Sequence, residues 1–204
     1  MALHTIACVL FAGGKSSRMG EDKSLLPFNG EASLAKYQYE RLEKIFARVY
    51  LSAKDATLFD HFDAVVIEDE IGKDVYAPTT GFVNVFRRLK SDNMIFVMSV
   101  DTPFVDKGII DKCIAVCDND YDAIIVRTPG GIHPLCGIYS RSLEKPLLKM
   151  LHEGEHKLTK LLQNSSVFYL DIEDENALLN MNTPDDYEKA LRIQDEHRIS
   201  LLSL

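Results

Sequence analysis

Short apolar runs separated by helix-length segments constrain this chain more than any other feature. They occur at Ile6 to Ala12, Val49 to Ala53, Ala64 to Ile67, Met94 to Val100 and Asp122 to Arg127. Continuous runs of this length read as strands covered on both faces. Between the first two, Leu34, Tyr37, Leu42, Ile45 and Phe46 fall near helical spacing, with Ser33 as N-cap. Helices are also expected over Thr79 to Lys90, Lys107 to Cys117, Ser142 to Leu151 and Pro184 to Arg198, where Pro184 suits a first turn. Strands alternating with helices predict a three-layer α/β/α arrangement around a mostly parallel sheet with right-handed crossovers. Ligands of such sheets bind beyond the C-terminal strand ends, so chemistry is sought in the segments that follow each strand.

Composition narrows the class of partner. With 46% apolar and 26% charged residues, the 204-residue chain reads as one globular domain over 1–204, with 196–204 a tail that is frayed or meets a partner chain. A net charge of −8 argues against a nucleic acid backbone as the main partner. No apolar stretch approaches the roughly 20 residues of a bilayer span, so no membrane is expected. The opening "MALHTIACVLFAGG" has no basic leader, and Cys8, Cys113, Cys117 and Cys136 form no CxxC pair. Both features point to a reducing, cytoplasmic setting.

Directly after the first run comes "FAGGKSSRMGEDK", with Gly13, Gly14 and Gly20 among the cations Lys15, Arg18 and Lys23. Glycine backbone lets N–H groups approach phosphate oxygens, and the cations offset the overall negative charge. The plain alternative is a glycine turn with a solvated basic surface. The P-loop is excluded because Val9 stands where its first glycine belongs, and no G-x-G-x-x-G occurs.

The longer string "VLFAGGKSSRMGEDKSLLPFNG" resembles the signature L-A-G-G-x-S-x-R-M-G-x-D-K of nucleotidyltransferases that activate a small phosphorylated molecule with a nucleoside triphosphate. Among these it looks most like the molybdenum cofactor guanylyltransferases, which implies a Rossmann-like nucleotidyltransferase fold. It also implies transfer of GMP from GTP to the phosphate of molybdopterin or its molybdenum form, with release of pyrophosphate. Alternatives are a related transferase using CTP or a sugar phosphate, and a non-catalytic nucleotide-binding regulator. The resemblance covers nearly the whole chain, with Phe11 departing from the usual Leu.

The resemblance assigns catalytic roles to Arg18, Lys23 and Asp101, and nucleotide contacts to Phe11, Ala12, Gly13, Gly14, Lys23, Ser52, Asp69 and Asp101. Asp101, in "VMSVDTPFV", follows a strand, where an Asp before Thr-Pro otherwise reads as a turn or cap. In the resembling family this Asp holds Mg²⁺, a hard cation that takes one or two carboxylates and completes its shell with phosphates and water. Ser52 stands where many members carry Asn. Asp69 precedes Ala77-Pro78-Thr79-Thr80-Gly81, where the family has G-P-L-A-G around the base, and one residue is inserted between.

"NMNTPDDY" resembles the family string N-x-N-T-P, and in an extended segment Asn180 and Asn182 would face one way. The resemblance implies that they contact the acceptor or metal-bound waters and that His133 of "GGIHPLCGIY" lines the acceptor pocket; proteins that deliver or collect the cofactor are further expected partners. "HEGEH" satisfies H-E-x-x-H at His152, Glu153 and His156, but Gly154 sits inside the motif and no third ligand follows. It is read as a turn between helices, without zinc.

Overall fold

A computed structural model describes residues 3–13, 22–118 and 120–202. The strands are β1 (Ala7–Phe11), β2 (Val49–Ala53), β3 (Val66–Glu68), β4 (Met94–Ser99), β5 (Ala123–Thr128), β6 (Gly131–Ser140) and β7 (Val167–Asp171). The helices are α1 (Leu34–Glu43), α2 (Pro78–Arg88), α3 (Lys107–Ala115), α4 (Glu144–His152), α5 (Leu158–Gln163) and α6 (Pro184–Leu202).

The seven strands form one sheet in the order β3-β2-β1-β4-β6-β5-β7. Its pairings are parallel except at β6, which runs antiparallel to both β4 and β5. Alternation along β1 divides the core between the two faces. Cys8 and Leu10 join residues of α1, α3 and α6 on one side, whereas Ala7, Val9 and Phe11 join residues of α2, α4 and α5 on the other. The layered arrangement expected from the apolar runs is therefore present.

Local chemistry explains several boundaries. Ser33 caps α1 by accepting from Lys36 N–H at 3.1 Å, and Asp106 caps α3 through Ile109 N–H at 2.9 Å. Thr183 and Asp186 form a reciprocal cap on α6: Thr183 N–H donates to the carboxylate and Asp186 N–H to the hydroxyl. The expected tail at 196–204 is helical as far as Leu202.

Two strands, β6 and β7, lie outside the expected apolar runs, and α5 is the helix that follows the "HEGEH" turn. β6 carries Pro134, which cannot donate to a ladder. Its pairing with β5 jumps from Val126↔His133 to Ile125↔Gly137, so the proline sits in an irregularity of the ladder. β7 is an edge strand of mostly half-buried residues, and α5 spans only six residues. Burial pushes the thiols of Cys8 and Cys136 well up and that of Cys113 to about 12, so these cysteines pack as small apolar groups.

Candidate active site

The sheet changes direction of growth between β1 and β4: β1 leads through α1 to β2 on one side, while β3 leads through α2 to β4 on the other. A crevice at the C-terminal strand ends follows from that connectivity. The register sets Phe11 beside both Ser52 of β2 and Ser99 of β4. Ala12 N–H then donates to the Ser52 carbonyl at 2.9 Å, and Val100 N–H to the Phe11 carbonyl at 2.9 Å. The loops after β1 and β4 thus leave the sheet side by side.

They meet at a cavity of about 170 Å³ whose lining includes Phe11, Gly13, Lys23, Tyr76, Ser99 and Asp101. Lys23 opens a short 3-10 turn, Lys23–Leu25, capped by Asp22 through Ser24 N–H at 2.9 Å and the Ser24 hydroxyl at 2.7 Å. The family-type Asp22 therefore shapes the turn that presents the lysine. Lys23 Nζ donates to Asp101 Oδ2 at 2.7 Å and to Asn182 Oδ1 at 3.0 Å. Residues 78 and 159 positions apart in the chain converge on one ammonium.

Asp101 is 7% exposed, and its other oxygen, Oδ1, accepts the Ser99 hydroxyl at 2.6 Å. The Asp101 carbonyl in turn accepts from Met181 N–H at 3.0 Å, which ties "NMN" to the β4 loop. Asp101 is thus more than a turn or helix cap. Among the described residues no cluster of three or more His, Cys, Asp or Glu side chains is arranged to hold a metal ion. A single carboxylate at a phosphate-sized cavity suits Mg²⁺, because that ion draws most of its ligands from phosphate and water.

A second cavity of about 400 Å³ adjoins the first, sharing Pro78, Ser99 and Leu135. His133, His156, Lys157 and Asn180 line it. His133 bonds to the Thr128 hydroxyl at 3.0 Å, and its burial lowers the imidazole pKa against the opposing effect of Glu175. The expectation that Asn180 and Asn182 face one way does not survive. Asn182 N–H donates back to the Asn180 carbonyl at 3.0 Å, so the segment turns instead of extending; Asn182 Oδ1 meets Lys23, whereas Asn180 lines the second cavity.

Ser52 and Asp69 stand behind the cavity wall. Ser52 is buried, and a Cβ on Gly81 would lie 2.9 Å from its hydroxyl and 2.6 Å from Phe11 Cε1. Only glycine lets α2 approach this closely, and the resulting space seats the Phe11 ring against Phe82 at 4.9 Å. Asp69 is 4% exposed, paired with Lys54 at 2.8 Å and with Asn84 Nδ2 at 3.3 Å. Burial holds its carboxyl pKa above the ordinary value, opposed by Lys54 and Asn84. Lys54 also donates to the Gly72 carbonyl at 3.0 Å and lies 5.5 Å from the ring centre of Tyr76. Lys54, Tyr76, Ser99 and Asn84 carry no motif signal; Lys54 directly follows β2 and meets Asp69 only because β3 pairs with β2.

The expected roles of Gly14 and Arg18 fall outside the described residues. The "HEGEH" string is a turn: α4 stops at His152, Gly154 takes φ +67°, and α5 starts at Leu158. His156 Nδ1 instead meets the Thr79 hydroxyl at 2.8 Å, joining the start of α2 to the second cavity.

The geometry agrees with the known proteins that this chain resembles. The MobA-like NTP transferase domain family matches residues 8–168. The molybdenum cofactor guanylyltransferase of Campylobacter jejuni is 37% identical over 189 residues, covering 93% of this chain and 97% of its own. That of Helicobacter pylori is 32% identical over 200 residues, covering 95% and 96%. The structure of molybdopterin-guanine dinucleotide biosynthesis protein A from Archaeoglobus fulgidus superposes with a TM-score of 0.79 over 94% of this chain and all of that one, at 22% identity, which bears on the fold. No helix among the described residues is long and apolar enough to cross a membrane. With its matched signature loop, its shared fold and the corner where Lys23, Asp101 and Asn182 meet, this chain belongs to the MobA-like NTP transferase family, among the molybdenum cofactor guanylyltransferases.

Proposed function

We propose that the protein transfers GMP from GTP to the terminal phosphate of molybdopterin or its molybdenum form. A phosphate oxygen of the acceptor attacks the α-phosphorus of GTP, a new P–O bond forms, and the bond to the β-phosphate breaks to release pyrophosphate. The observation that carries this reading is the convergence of Lys23, Asp101 and Asn182 at the cavity after β1.

The chemical obstacle is repulsion, because the acceptor phosphate is already anionic at neutral pH and needs no strong base. Lys23 supplies one half-buried cation where negative charge gathers, and Gly13 opens backbone for phosphate oxygens. Asp101 would hold Mg²⁺, whose charge neutralises the triphosphate and the departing pyrophosphate. Ser99 fixes the carboxylate by hydrogen bonding one of its oxygens. The adjoining cavity, with His133, Asn180, His156 and Lys157, takes the acceptor; its shared wall at Ser99 and Pro78 brings the two reacting phosphates together. Arg18 adds a further cation from the loop after Gly14 in this reading.

Incubation with Mg²⁺, molybdopterin and a panel of triphosphates tests the proposal. Pyrophosphate release and a guanine dinucleotide product are expected with GTP. A product with CTP alone, or no Mg²⁺ dependence, would overturn the corresponding part.

A further inference from the structure

The Asp101 loop is gripped from below by two residues of α1 that no motif singles out. Gln38, fully buried, donates from Nε2 to the carbonyl of Val100 at 3.2 Å. Its own amide oxygen accepts two bonds from Arg41, from Nε at 3.1 Å and from an Nη at 2.6 Å. The other Nη of Arg41 donates to the carbonyl of Val105 at 2.5 Å. One helical turn therefore binds both ends of the segment carrying Asp101, Thr102 and Pro103. Within that segment, the Asp101 carbonyl receives Met181 N–H, and Asn182 of the same turn meets Lys23. The path from Gln38 to the lysine corner is continuous: Val100 carbonyl, Asp101, Met181, Asn182, Lys23.

The guanidinium is an unusual choice for a prop. Burial lowers its pKa, and the partners named above are neutral carbonyl oxygens and an amide, so none of these contacts is an ion pair that would repay the lost hydration. What its fork does offer is three directed donors held in one plane, which suits the fixing of two backbone points at once. A flexible loop would leave the Asp101 carboxylate free to swing, and misplacement by about 1 Å can cost about 100-fold in rate.

We infer that Gln38 and Arg41 are positioning residues for the reaction, holding Asp101 at the spacing from Lys23 that the triphosphate requires. The inference rests on the guanylyl-transfer reading for its kinetic arm alone.

The test uses Gln38→Glu, which keeps the acceptor for Arg41 but removes the donor to Val100. Gln38→Met, which removes both at nearly constant volume, repeats it should the buried glutamate prevent folding. Steady-state kinetics with GTP and molybdopterin should show kcat lowered about 100-fold with the GTP KM close to wild type, the pattern of lost transition-state alignment. Hydrogen exchange should be faster at the Met181 amide, and Mn²⁺ should bind the GTP complex more weakly. Wild-type kcat together with unchanged exchange at Met181 would overturn the inference. If wild-type protein releases no pyrophosphate from GTP, the guanylyl-transfer reading fails instead, and the exchange measurement still decides whether the clamp holds the loop.

Discussion

Two lysine–aspartate pairs stand on either side of the crevice with almost the same geometry: Lys23–Asp101 at 2.7 Å and Lys54–Asp69 at 2.8 Å. Their surroundings differ. Asp101 lines a cavity with Lys23, and its partners come from β4, the loop after β1 and the turn before α6. Asp69 is sealed between Lys54 and Asn84, and Lys54 in turn donates to the Gly72 carbonyl. In the proposed reaction the first pair exchanges partners, since a triphosphate in the cavity would compete for Lys23. The second is a staple whose partners are already complete. Identical functional groups at identical spacing therefore do different work because of what else reaches them.

Breaking the first pair should be felt in turnover. Lys23→Ala should lower kcat by about 1000-fold, the upper range for loss of one charge-stabilising donor, while lowering the melting temperature less than loss of Lys54 does, because Asp101 lines a cavity and keeps the Ser99 hydroxyl. Steady-state pyrophosphate release and a thermal melt of the same sample check it. A larger loss of stability than of turnover would reverse the contrast between the pairs.

Breaking the second should be felt in stability. Lys54→Met leaves the Asp69 carboxylate buried without its cation, at a cost of about 3 kcal/mol at neutral pH by denaturant titration. The effect carries a sign in pH. Burial already raises the Asp69 pKa, so the folded chain binds that proton more tightly than the unfolded chain, and stability falls as pH rises through the raised value. Removing Lys54 raises it further. The deficit of the variant is therefore largest above the carboxylate range and narrows as pH falls and Asp69 becomes neutral.

Two smaller changes sharpen the comparison within the first pair. Ser99→Ala removes the hydroxyl that holds Asp101 Oδ1 and should lower kcat about 10-fold, a loss near 1.4 kcal/mol. Asp22→Ala removes the cap on the turn presenting Lys23 and should cost about 1 kcal/mol of stability, with a few-fold loss of turnover that Asp22→Asn restores in part. A raised GTP KM with kcat unchanged in Ser99→Ala would assign the hydroxyl to nucleotide binding instead.

Much of the site was legible in residues that lie close together in the chain. The glycine-rich loop, the carboxylate after β4 and the "NTP" string each sit at the end of a strand or the start of a helix, positions that apolar periodicity and capping chemistry reveal. Lys54 was not legible because its meaning depends on β3 pairing with β2, which brings Asp69 N–H to the Ala53 carbonyl at 3.0 Å. The split between Asn180 and Asn182 was not legible either, since it follows from Met181 docking on Asp101. His156 illustrates the converse: its motif letters are complete, but the turn around Gly154 directs it to Thr79.

Hydrophobic periodicity and local capping, properties of neighbours along the chain, were enough to determine the α/β class, the positions of five strands and five of the helices, and the loops where chemistry belongs. The reversed course of β6, the choice of Asp101 over Asp69 as partner of Lys23, and the grip of Gln38 and Arg41 on the β4 loop were decided only in the folded molecule. These depend on strand order and register across separations as large as 78 residues, and no pattern of neighbouring residues encodes that order.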